Sequence, residues 1–469
     1  MALSLMPTLA HHEVERIHEH SLDLLERVGV VYNTPQALQV LEQHGCPVDY
    51  ARNWASLPRE LVECALQQAP RVVRLGARDP ARDVVLDGRR PHHTTDSQGT
   101  QAIDLETGTR HDSTAEDLRR ALLLADALDM VEIANVMVAA NDVPAHLRTI
   151  RHFAVAFAQT SKHVRTGVLH AGQVPWIVAL AQAATGEREF RPTFSAVDCT
   201  ISPLMHDGPM TEACIELARL RVPIMVYPMP LAGGTSPITL AGTALVHNVE
   251  FLSGLVLYQA VQPGTPLIYG TGASQLDMHS GRYGGGPDRH GLALMLRELA
   301  RFYHLPLNLN GLATSSSALD ALYGYEASTA CLLAYLAGAD EIYSIGLLGH
   351  AQVLSLEKMV LDNHLAHQVE VMVRRVPADE AHLQADLIAR VGIGGAYLTR
   401  RETRDFTRRE YVPVWPPAGK SLLELAHTEA LEIVHSHQPP ALPPGALDRM
   451  EALVAEANRE LGAGGNDDV

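Results

Sequence analysis

The feature that most constrains the fold is a regular alternation of helix-like and strand-like segments from Thr114 onward. Apolar residues at helical spacing alternate with short apolar and β-branched runs, and turn residues separate them. Eight strands are predicted, at 131–138, 163–168, 194–202, 222–227, 266–271, 306–312, 341–347 and 394–398. Eight strands separated by helices are the count of a (β/α)8 TIM barrel. An open doubly wound sheet stays an alternative, because periodicity shows alternation and not closure.

The domain organisation follows from where this alternation begins and ends. Residues 1–112 contain three helical patterns and several short β-like runs, which predicts an N-terminal helical and small-sheet extension. Residues 113–416 form the predicted barrel, and residues 417–469 two further helices and a tail. The α/β barrel is therefore expected to be the catalytic domain, flanked by two smaller segments.

Composition limits the class of protein and its partners. The sequence holds no apolar run of 18 or more residues, so neither a membrane span nor a membrane partner is expected. Five scattered cysteines without a CxxC pair fit a reducing environment and a cytoplasmic location. A net charge of −17 argues against nucleic acid as a partner. The apolar helix at 239–262 is compatible with barrel packing and with a homo-oligomer interface.

Common catalytic signatures are missing from the predicted strand ends. No lysine ends a strand, which argues against a Schiff-base aldolase, and a GxSxG nucleophile elbow is absent. No metal bound directly by the chain is expected, because the candidate histidines lack ligand spacing on one element. These candidates are His92, His93, His163, His170, His206, His279 and His350.

The stretch 227–242, YPMPLAGGTSPITLAG, is the first candidate for a ligand site. A strand leads into a turn with Gly233 and Gly234, and a helix is expected to begin with Ser236 as its N-cap and Pro237 in its first position. Backbone N–H groups at such a turn can face a ligand. An ordinary βα loop is the alternative, because short glycine-bearing loops are common at these junctions.

Further candidates lie where the predicted strands end, since barrel active sites form at the carboxyl ends of the strands. Asn308 and Asn310 alternate with leucines, which places both on one face of a strand. The long glycine-rich loop after the fifth predicted strand is expected to be a lid or a docking surface. The remaining candidates are Asn135, Asn141, Thr200, Ser202, His206, Asp207, Tyr227, Tyr269, Gln275, Asp277, His279, Arg282, Tyr283, Ser316, Asp320, Tyr325, Glu326 and His350.

Several longer phrases resemble the trimethylamine methyltransferase family. They include PLAGGTSPITLAGTALVHNVEFLSG at 230–254, YGTGASQLDMHSGRYGGGP at 269–287, and LDALYGYEASTACLLAYLAGAD at 319–340. LSLEKMVLD at 354–362, GGAYLTRRETRDFTRREYVP at 394–413 and LPRELVECALQQAPRVVRLGARDP at 57–80 extend the similarity over nearly the whole chain. The resemblance implies a (β/α)8 barrel that moves a methyl group from an amine to the cob(I)alamin of a separate corrinoid protein.

One departure from the family bears on the substrate. Founding members carry pyrrolysine in the loop after the sixth predicted strand, and here residues 314–320 read TSSSALD. This points to the non-pyrrolysine branch, whose known substrates include glycine betaine and related quaternary amines. A quaternary ammonium needs no general acid, because a neutral tertiary amine leaves, and it is held by aromatic faces and carboxylates.

The resemblance, combined with the strand-end positions, implies three groups of site residues. The catalytic group is Asp320, Glu326 and Asn310; the substrate-binding group is Tyr227, Tyr269, Asp277, Tyr283 and His350; the cofactor-binding group, for a partner-borne cobalamin, is Gly233, Gly234, Thr235, Ser236 and Ser316. A betaine carboxylate is expected at Asn310, His350, Arg282 or the N–H groups near Gly234. Two other functions stay open: transfer from trimethylamine or another amine to free cobalamin or a folate-type carrier, and non-catalytic binding of a methylated amine.

Overall fold

The core of the protein is a closed eight-stranded parallel barrel. The computed structural model describes residues 7–281, 283–284, 288–413, 415–417 and 419–463. The barrel strands are β1 (His92–Thr95), β2 (Val131–Asn135), β3 (His163–Thr166), β4 (Phe194–Asp198), β5 (Ile224–Val226), β6 (Leu267–Tyr269), β7 (Asn308–Asn310) and β8 (Glu341–Ile345). Each strand pairs with its sequence neighbours, β8 pairs with β1, and a parallel bridge from Tyr269 to Leu307 joins β6 to β7. The predicted (β/α)8 barrel is confirmed.

Eight helices follow the strands in strict alternation and cover the barrel. They are α1 (Ala115–Ala127), α2 (Ala145–Gln159), α3 (Val174–Thr185), α4 (Gly208–Arg219), α5 (Leu240–Val261), α6 (Asp288–Phe302), α7 (Ala321–Ala337) and α8 (Leu356–Val373). Side-chain caps define several starts: Thr114 and Asp117 form a capping box on α1, and Asp207 caps α4. Thr239 caps α5, so the predicted N-cap at Ser236 and helix start at Pro237 are wrong.

The first barrel strand lies where the sequence predicted the extension. β1 falls within residues 1–112, and the predicted eighth strand at 394–398 is wrong, because this segment forms turns and Leu398 is 87% exposed. β1 reads HHTT and therefore looks polar. Hydrogen bonds to both histidines help to bury it: His92 Nδ1 lies 2.9 Å from Glu132 and His93 Nε2 lies 2.8 Å from the Tyr335 hydroxyl. Predicted strands one to seven correspond to β2–β8.

The amino-terminal end of the barrel is plugged by an antiparallel hairpin. Strands Val73–Leu75 and Val84–Leu86 pair with each other, and their buried side chains form one apolar cluster with Ile133, Met225 and Ile268 of the barrel. This end therefore has a packed apolar floor. A ligand can enter only from the opposite end, where the strands terminate.

The N-terminal helices pack against α5. They are His11–Arg27, Pro35–Gln43 and Arg59–Gln68, with short strands Val30–Tyr32, Val48–Asp49 and Trp54–Ala55 between them. The Tyr32 hydroxyl donates to the Ser253 carbonyl at 3.1 Å, and Asn248 donates to Ser21 at 2.8 Å. Among the described residues, α5 alone is long and apolar enough to span a membrane, but 72% of its apolar window is buried inside the protein. It is thus packed as a core helix.

The remaining elements complete the outer layer and the rim. Helix Leu422–Ser436 packs on α8 and α1, and helix Ala446–Ala463 packs on α2 and α3. Between α8 and these helices lie three short ones: Glu380–Leu383, Ala385–Val391 and Arg401–Glu410. The rim carries short strands at Gln101–Ile103, Arg110–Asp112, Thr200–Ile201, Met205–His206, Leu231–Ala232, Ser274–Gln275, Leu347–Leu348 and Val353–Leu354, and two short 3-10 helices lie at Pro80–Arg82 and Ala171–Gln173.

Candidate active site

A cavity of about 450 Å³ opens at the carboxyl ends of the barrel strands. Its size is that of a small-molecule site. The polar and aromatic side chains that line it include Asp96, Ser97, Gln98, Asn135, Arg165, Tyr227, Ser274, Tyr283, Arg289, His290, Asn310, Tyr343, His350 and Gln352. Val197, Met225 and Ala293 add apolar surface between them.

Asp96 follows β1 directly and is the buried carboxylate of this cavity. Its side chain is 1% exposed, and its Oδ1 accepts a hydrogen bond from the Ser97 N–H at 2.8 Å. Oδ2 has no hydrogen bond of standard geometry, although the Tyr343 hydroxyl lies close enough to stabilise the carboxylate. Burial raises the pKa of Asp96 to about 6. Among the described residues, no cationic side chain lies within ion-pair distance of this carboxylate.

Two tyrosines form an aromatic wall beside this carboxylate. The rings of Tyr227, after β5, and Tyr343, in β8, meet edge to face with centroids 6.2 Å apart and planes at 63°. The Tyr343 hydroxyl is 3.1 Å from the Ser97 Oγ. Burial raises the pKa of both tyrosines well above the usual 10, so both hydroxyls stay neutral.

The Tyr227 ring occupies space that is free only because residue 270 is a glycine. A Cβ added at Gly270 would lie 2.5 Å from the ring carbon Cδ2 of Tyr227 and 2.7 Å from the carbonyl oxygen of Val226. Any side chain at this position would therefore displace the ring or the strand end. The glycines after β6 are therefore small enough to leave room for the Tyr227 ring in the aromatic wall.

Tyr283 and His350 form a second aromatic contact at the mouth. Their rings meet at 89° with centroids 5.9 Å apart, and the Tyr283 hydroxyl donates to the Gly272 carbonyl at 3.2 Å. Gly284 has φ +79°, and a Cβ there would lie 2.6 Å from the His350 ring. Burial, followed by the nearby Arg289, lowers the pKa of His350, which favours a neutral imidazole. The loop after β6 therefore closes one side of the cavity.

Two arginines line the cavity, and their surroundings differ. Arg165 of β3 pairs in a bidentate manner with Glu341 of β8, with both N–O distances 2.7 Å and both side chains fully buried. Asn308 donates to the same carboxylate at 2.9 Å. Arg289 in the first turn of α6 has no carboxylate within ion-pair distance among the described residues, and its Nη2 lies 3.5 Å from the Ala313 carbonyl. Arg165 is thus neutralised, whereas Arg289 can accept an anion.

Five of the predicted site residues are brought together in the cavity: Asn135, Asn310, Tyr227, Tyr283 and His350. Asn310 uses its Oδ1 to accept the Ala313 N–H at 3.3 Å, which leaves its amide donors for other contacts. Tyr269 turns instead toward α5, where its hydroxyl donates to Asn248 at 3.0 Å and its ring packs on Phe251 at 4.2 Å. Tyr269 therefore supports the barrel wall.

The predicted acidic residues lie outside the cavity lining. Asp320 is the exposed N-cap of α7 and accepts the Tyr323 N–H at 3.0 Å. Glu326 accepts hydrogen bonds from Thr314 and Ser315 at 2.7–2.8 Å. Burial opposes the ionisation of Glu326, but these hydrogen bonds outweigh it and lower its pKa. Both carboxylates thus hold the loop after β7 in place.

Asp277 and Ser316 also have structural partners. Asp277 is half-buried and accepts a hydrogen bond from the Ser280 hydroxyl at 2.6 Å, which lowers its pKa. The Ser316 carbonyl accepts the Gly349 N–H at 2.8 Å, and its hydroxyl accepts the Ala318 N–H at 3.2 Å. Neither residue lines the cavity. Arg282 and the run 285–287 lie outside the described residues.

The turn at 233–236 uses its backbone N–H groups internally. Gly233 donates to Ser236, while Gly234, Thr235 and Ser236 all donate to the Leu231 carbonyl at 2.8–3.1 Å. Gly233 has φ +83°, a conformation that favours glycine. These N–H groups are therefore not free for a ligand in this conformation.

The sequence prediction missed Asp96, Tyr343 and Arg289. Asp96 was missed because the strand before it reads as polar and was assigned to the extension; a polar β-branched run followed by aspartate was the available signal. Tyr343 lies within the buried strand β8, so the hydrophobic pattern alone did not show that its side chain lines the cavity. Arg289 lies in the first turn of a helix and not at a strand end. The only sequence signal that placed it near the mouth of the barrel was the long loop that precedes this helix. No group of three or more potential metal ligands occurs in the described part of the chain.

Known proteins resemble this chain over nearly its full length. A family model described as Trimethylamine methyltransferase (MTTB) matches residues 2–462. The trimethylamine methyltransferase MttB of Desulfitobacterium hafniense is 30% identical over 464 residues, covering 96% of this chain and 94% of that protein. A glycine betaine methyltransferase from another strain of that species is 28% identical over 470 residues, covering 97% and 98%.

A solved structure supports the fold. The crystal structure of a hydroxylamine complex of MtmB aligns with a TM-score of 0.53 and covers 97% of this chain and 88% of that chain. The sequence identity in this alignment is 10%, so the similarity concerns the fold alone.

Proposed function

Because this chain belongs to the trimethylamine methyltransferase family, we propose that it transfers a methyl group from a quaternary, betaine-type amine to the cob(I)alamin of a separate corrinoid protein. Its relatives include both a trimethylamine and a glycine betaine methyltransferase. The observation that carries the choice between them is that one tyrosine-lined cavity holds both the buried Asp96 carboxylate and the Arg289 guanidinium, which has no carboxylate within ion-pair distance among the described residues.

The cationic end of the substrate is assigned to Asp96, Tyr227 and Tyr343. A quaternary ammonium has no N–H group, so a site for it needs negative charge and aromatic faces instead of hydrogen-bond acceptors at fixed angles. Asp96 supplies the charge, and the two rings line the same cavity. Asp96 is 1% exposed, so little water screens its charge, and its attraction to a bound ammonium group is stronger than it would be in bulk water.

The anionic end is assigned to Arg289. This guanidinium lines the cavity and lacks a carboxylate partner within ion-pair distance among the described residues. A guanidinium matches a carboxylate with two parallel hydrogen bonds. A betaine carries both charges, so one molecule would satisfy Asp96 and Arg289 together. Trimethylamine would leave Arg289 without an anion.

The proposed methyl transfer requires the protein to bind and orient the substrate, but not to donate or accept a proton. The N–CH3 bond breaks with its electron pair left on nitrogen, so a neutral tertiary amine departs without a proton transfer. The methyl group is received by the Co(I) nucleophile of the acceptor, which becomes a methylated Co(III) product. The protein holds the N–CH3 bond in line with the acceptor and keeps water away. Asp96 thus contributes mainly to binding of the cationic substrate.

The acceptor would approach from the open end of the barrel, since the opposite end is plugged by the hairpin at 73–86. The loop after β6, with Tyr283, borders this entrance. We assign no corrinoid contact to the N–H groups of the turn 233–236, because they are bonded internally. All five cysteines are free thiols, which supports a cytoplasmic location for this reaction.

The test combines the purified protein with a candidate corrinoid protein reduced to the Co(I) state. The methylcobalamin spectrum is followed with glycine betaine, longer-chain betaines, tetramethylammonium and trimethylamine as separate donors. We expect growth of the spectrum with one or more betaines and none with trimethylamine. Turnover of trimethylamine without turnover of any quaternary amine would contradict the assignment of the donor.

Binding without turnover would contradict the assignment of the reaction. Calorimetric titration of each amine in the absence of the corrinoid protein separates these cases. An amine that binds but never yields methylcobalamin, with several reduced corrinoid proteins, would favour a binding protein or a different acceptor.

A further inference from the structure

Residues 374–413, here called the arm, form an excursion that begins and ends at α8. The arm contains helices Glu380–Leu383, Ala385–Val391 and Arg401–Glu410. Its start follows Val373, the buried end of α8, and its end precedes Trp415, which stacks on His364 of α8 with ring centroids 3.8 Å apart. Both ends are thus anchored to the same helix, while the 40 residues between them project from the barrel.

The arm is held together by contacts within itself. Arg390 pairs with Glu402 at 2.5 Å, and His382 pairs with Asp379 at 2.6 Å. Phe406 packs edge-on against the His382 ring at 5.5 Å. For the described residues, the hydrogen bonds and ion pairs of the arm join arm residues to one another and not to the barrel. These contacts keep the three helices together as one unit.

The arm lacks a core of its own. Leu387 is its one buried apolar side chain among the described residues, whereas Val376 is 76% exposed and Leu398 is 87% exposed. The other strongly exposed apolar residues of the arm are Leu383, Ile388, Ile393 and Tyr411. A segment of this length cannot offset its conformational entropy without burying more apolar surface. An apolar exposed surface of this kind indicates an interface.

The net charge of the arm indicates which partner binds its exposed surface. The arm carries eight arginines and no lysine against six acidic residues, so its net charge is +2. The rest of the chain carries 29 basic and 48 acidic residues, so its net charge is −19. A basic, apolar arm on an acidic body is electrostatically complementary to the body of another identical molecule.

We propose that the arm packs on the body of a second copy of this chain. In a two-fold symmetric pair each copy donates one arm and receives one, so a single contact type is used twice. The exposed apolar residues become buried in the interface, and the arginines face the acidic surface of the partner copy. This inference does not depend on the proposed reaction.

The test is the molar mass of the full-length protein in solution, by light scattering after size exclusion and by sedimentation. Leu398→Asp and Ile393→Asp place a charge on the exposed apolar surface of the arm, where no core contact is lost. Val72→Asp is the matched control, because Val72 is 53% exposed and lies outside the arm. We expect a dimer or a larger oligomer for the wild type and for the control, and at least about a tenfold weaker association for each arm variant.

A charge-reversed variant tests the electrostatic contribution. Arg400→Glu with Arg401→Glu should weaken association in the same assay, and added salt should weaken association of the wild type. A monomeric wild type, or arm variants that associate as strongly as the control, would overturn the proposal. So would arm variants that lose binding to a corrinoid protein while their oligomeric state is unchanged.

Discussion

Asp96 and Tyr343 lie side by side in the barrel cavity although they are far apart in the chain. Asp96 follows the first strand, and Tyr343 is in the last; pairing of β8 with β1 brings them together. The Tyr343 hydroxyl stabilises the carboxylate, and Oδ2 of Asp96 keeps no standard hydrogen bond. This arrangement places a buried carboxylate, with no ion-pair partner among the described residues, beside aromatic rings, and this supports the proposal of a quaternary ammonium substrate.

Replacing Asp96 by asparagine should weaken binding of the cationic substrate. The variant keeps the shape of the side chain and removes its charge, so the dissociation constant should rise by about tenfold to a hundredfold. The melting temperature should not fall, because a buried charge without a cationic partner costs stability. Calorimetric titration measures the first effect, and thermal unfolding the second.

Asp277→Asn is the control for this variant, because Asp277 is a carboxylate outside the cavity lining. It should bind the substrate as the wild type does. Equal affinity of Asp96→Asn and the wild type would remove Asp96 from the cation site.

Substrate binding should depend on pH through Asp96. Burial raises the pKa of this carboxyl to about 6, so it is ionised above that value and neutral below it. Affinity for a quaternary amine should therefore be full near pH 8 and fall as the pH drops through about 6. A bound cation would lower the pKa of Asp96, and binding should release protons near pH 6. Titrations in buffers of different ionisation enthalpy measure this release, which should be absent in Asp96→Asn.

Replacing Arg289 by glutamine should change selectivity between substrates. A betaine should bind at least about tenfold more weakly, because its carboxylate loses a bidentate partner. Tetramethylammonium should bind as it does to the wild type, because it has no anionic end. The ratio of the two dissociation constants is the readout, and a conserved ratio would place the carboxylate elsewhere.

Replacing Glu341 by glutamine should destabilise the barrel. Glu341 and Arg165 are fully buried and bonded at 2.7 Å, so the variant leaves a buried guanidinium without its counter-charge. Loss of one partner of a buried pair costs about 3–5 kcal/mol. Urea unfolding measures the difference. The exposed pair of Arg59 and Glu19 gives the comparison: Glu19→Gln should change stability little, because water screens such a pair.

The local elements were largely predictable from the sequence. Seven of the predicted strands and the helices between them follow from hydrophobic periodicity and caps such as Thr114, because these signals act over a few residues. Strand β1 was not recognised, since His92 and His93 look polar until their partners Glu132 and Tyr335 are known. The segment 394–398 looks like a strand, but no neighbouring strand pairs with it.

The candidate site was predictable only in part. Tyr227, Tyr283, His350 and Asn310 line the cavity, because strand-end position alone is informative in a barrel. Tyr269 occupies a similar position in the sequence, but its side chain faces α5. A side chain at a strand end can point inward or outward, and the register of the closed barrel determines which.

By itself, the sequence determined the alternation of strands and helices, the family resemblance and the absence of pyrrolysine in the loop at 314–320. Each of these depends on local composition and order along the chain. Only the tertiary structure decided that Asp96, Tyr227, Tyr343 and Arg289 share one cavity and that Arg165 is neutralised by Glu341. Closure of the barrel brings strands from opposite ends of the domain into contact, and the balance of buried charges exists only after that closure.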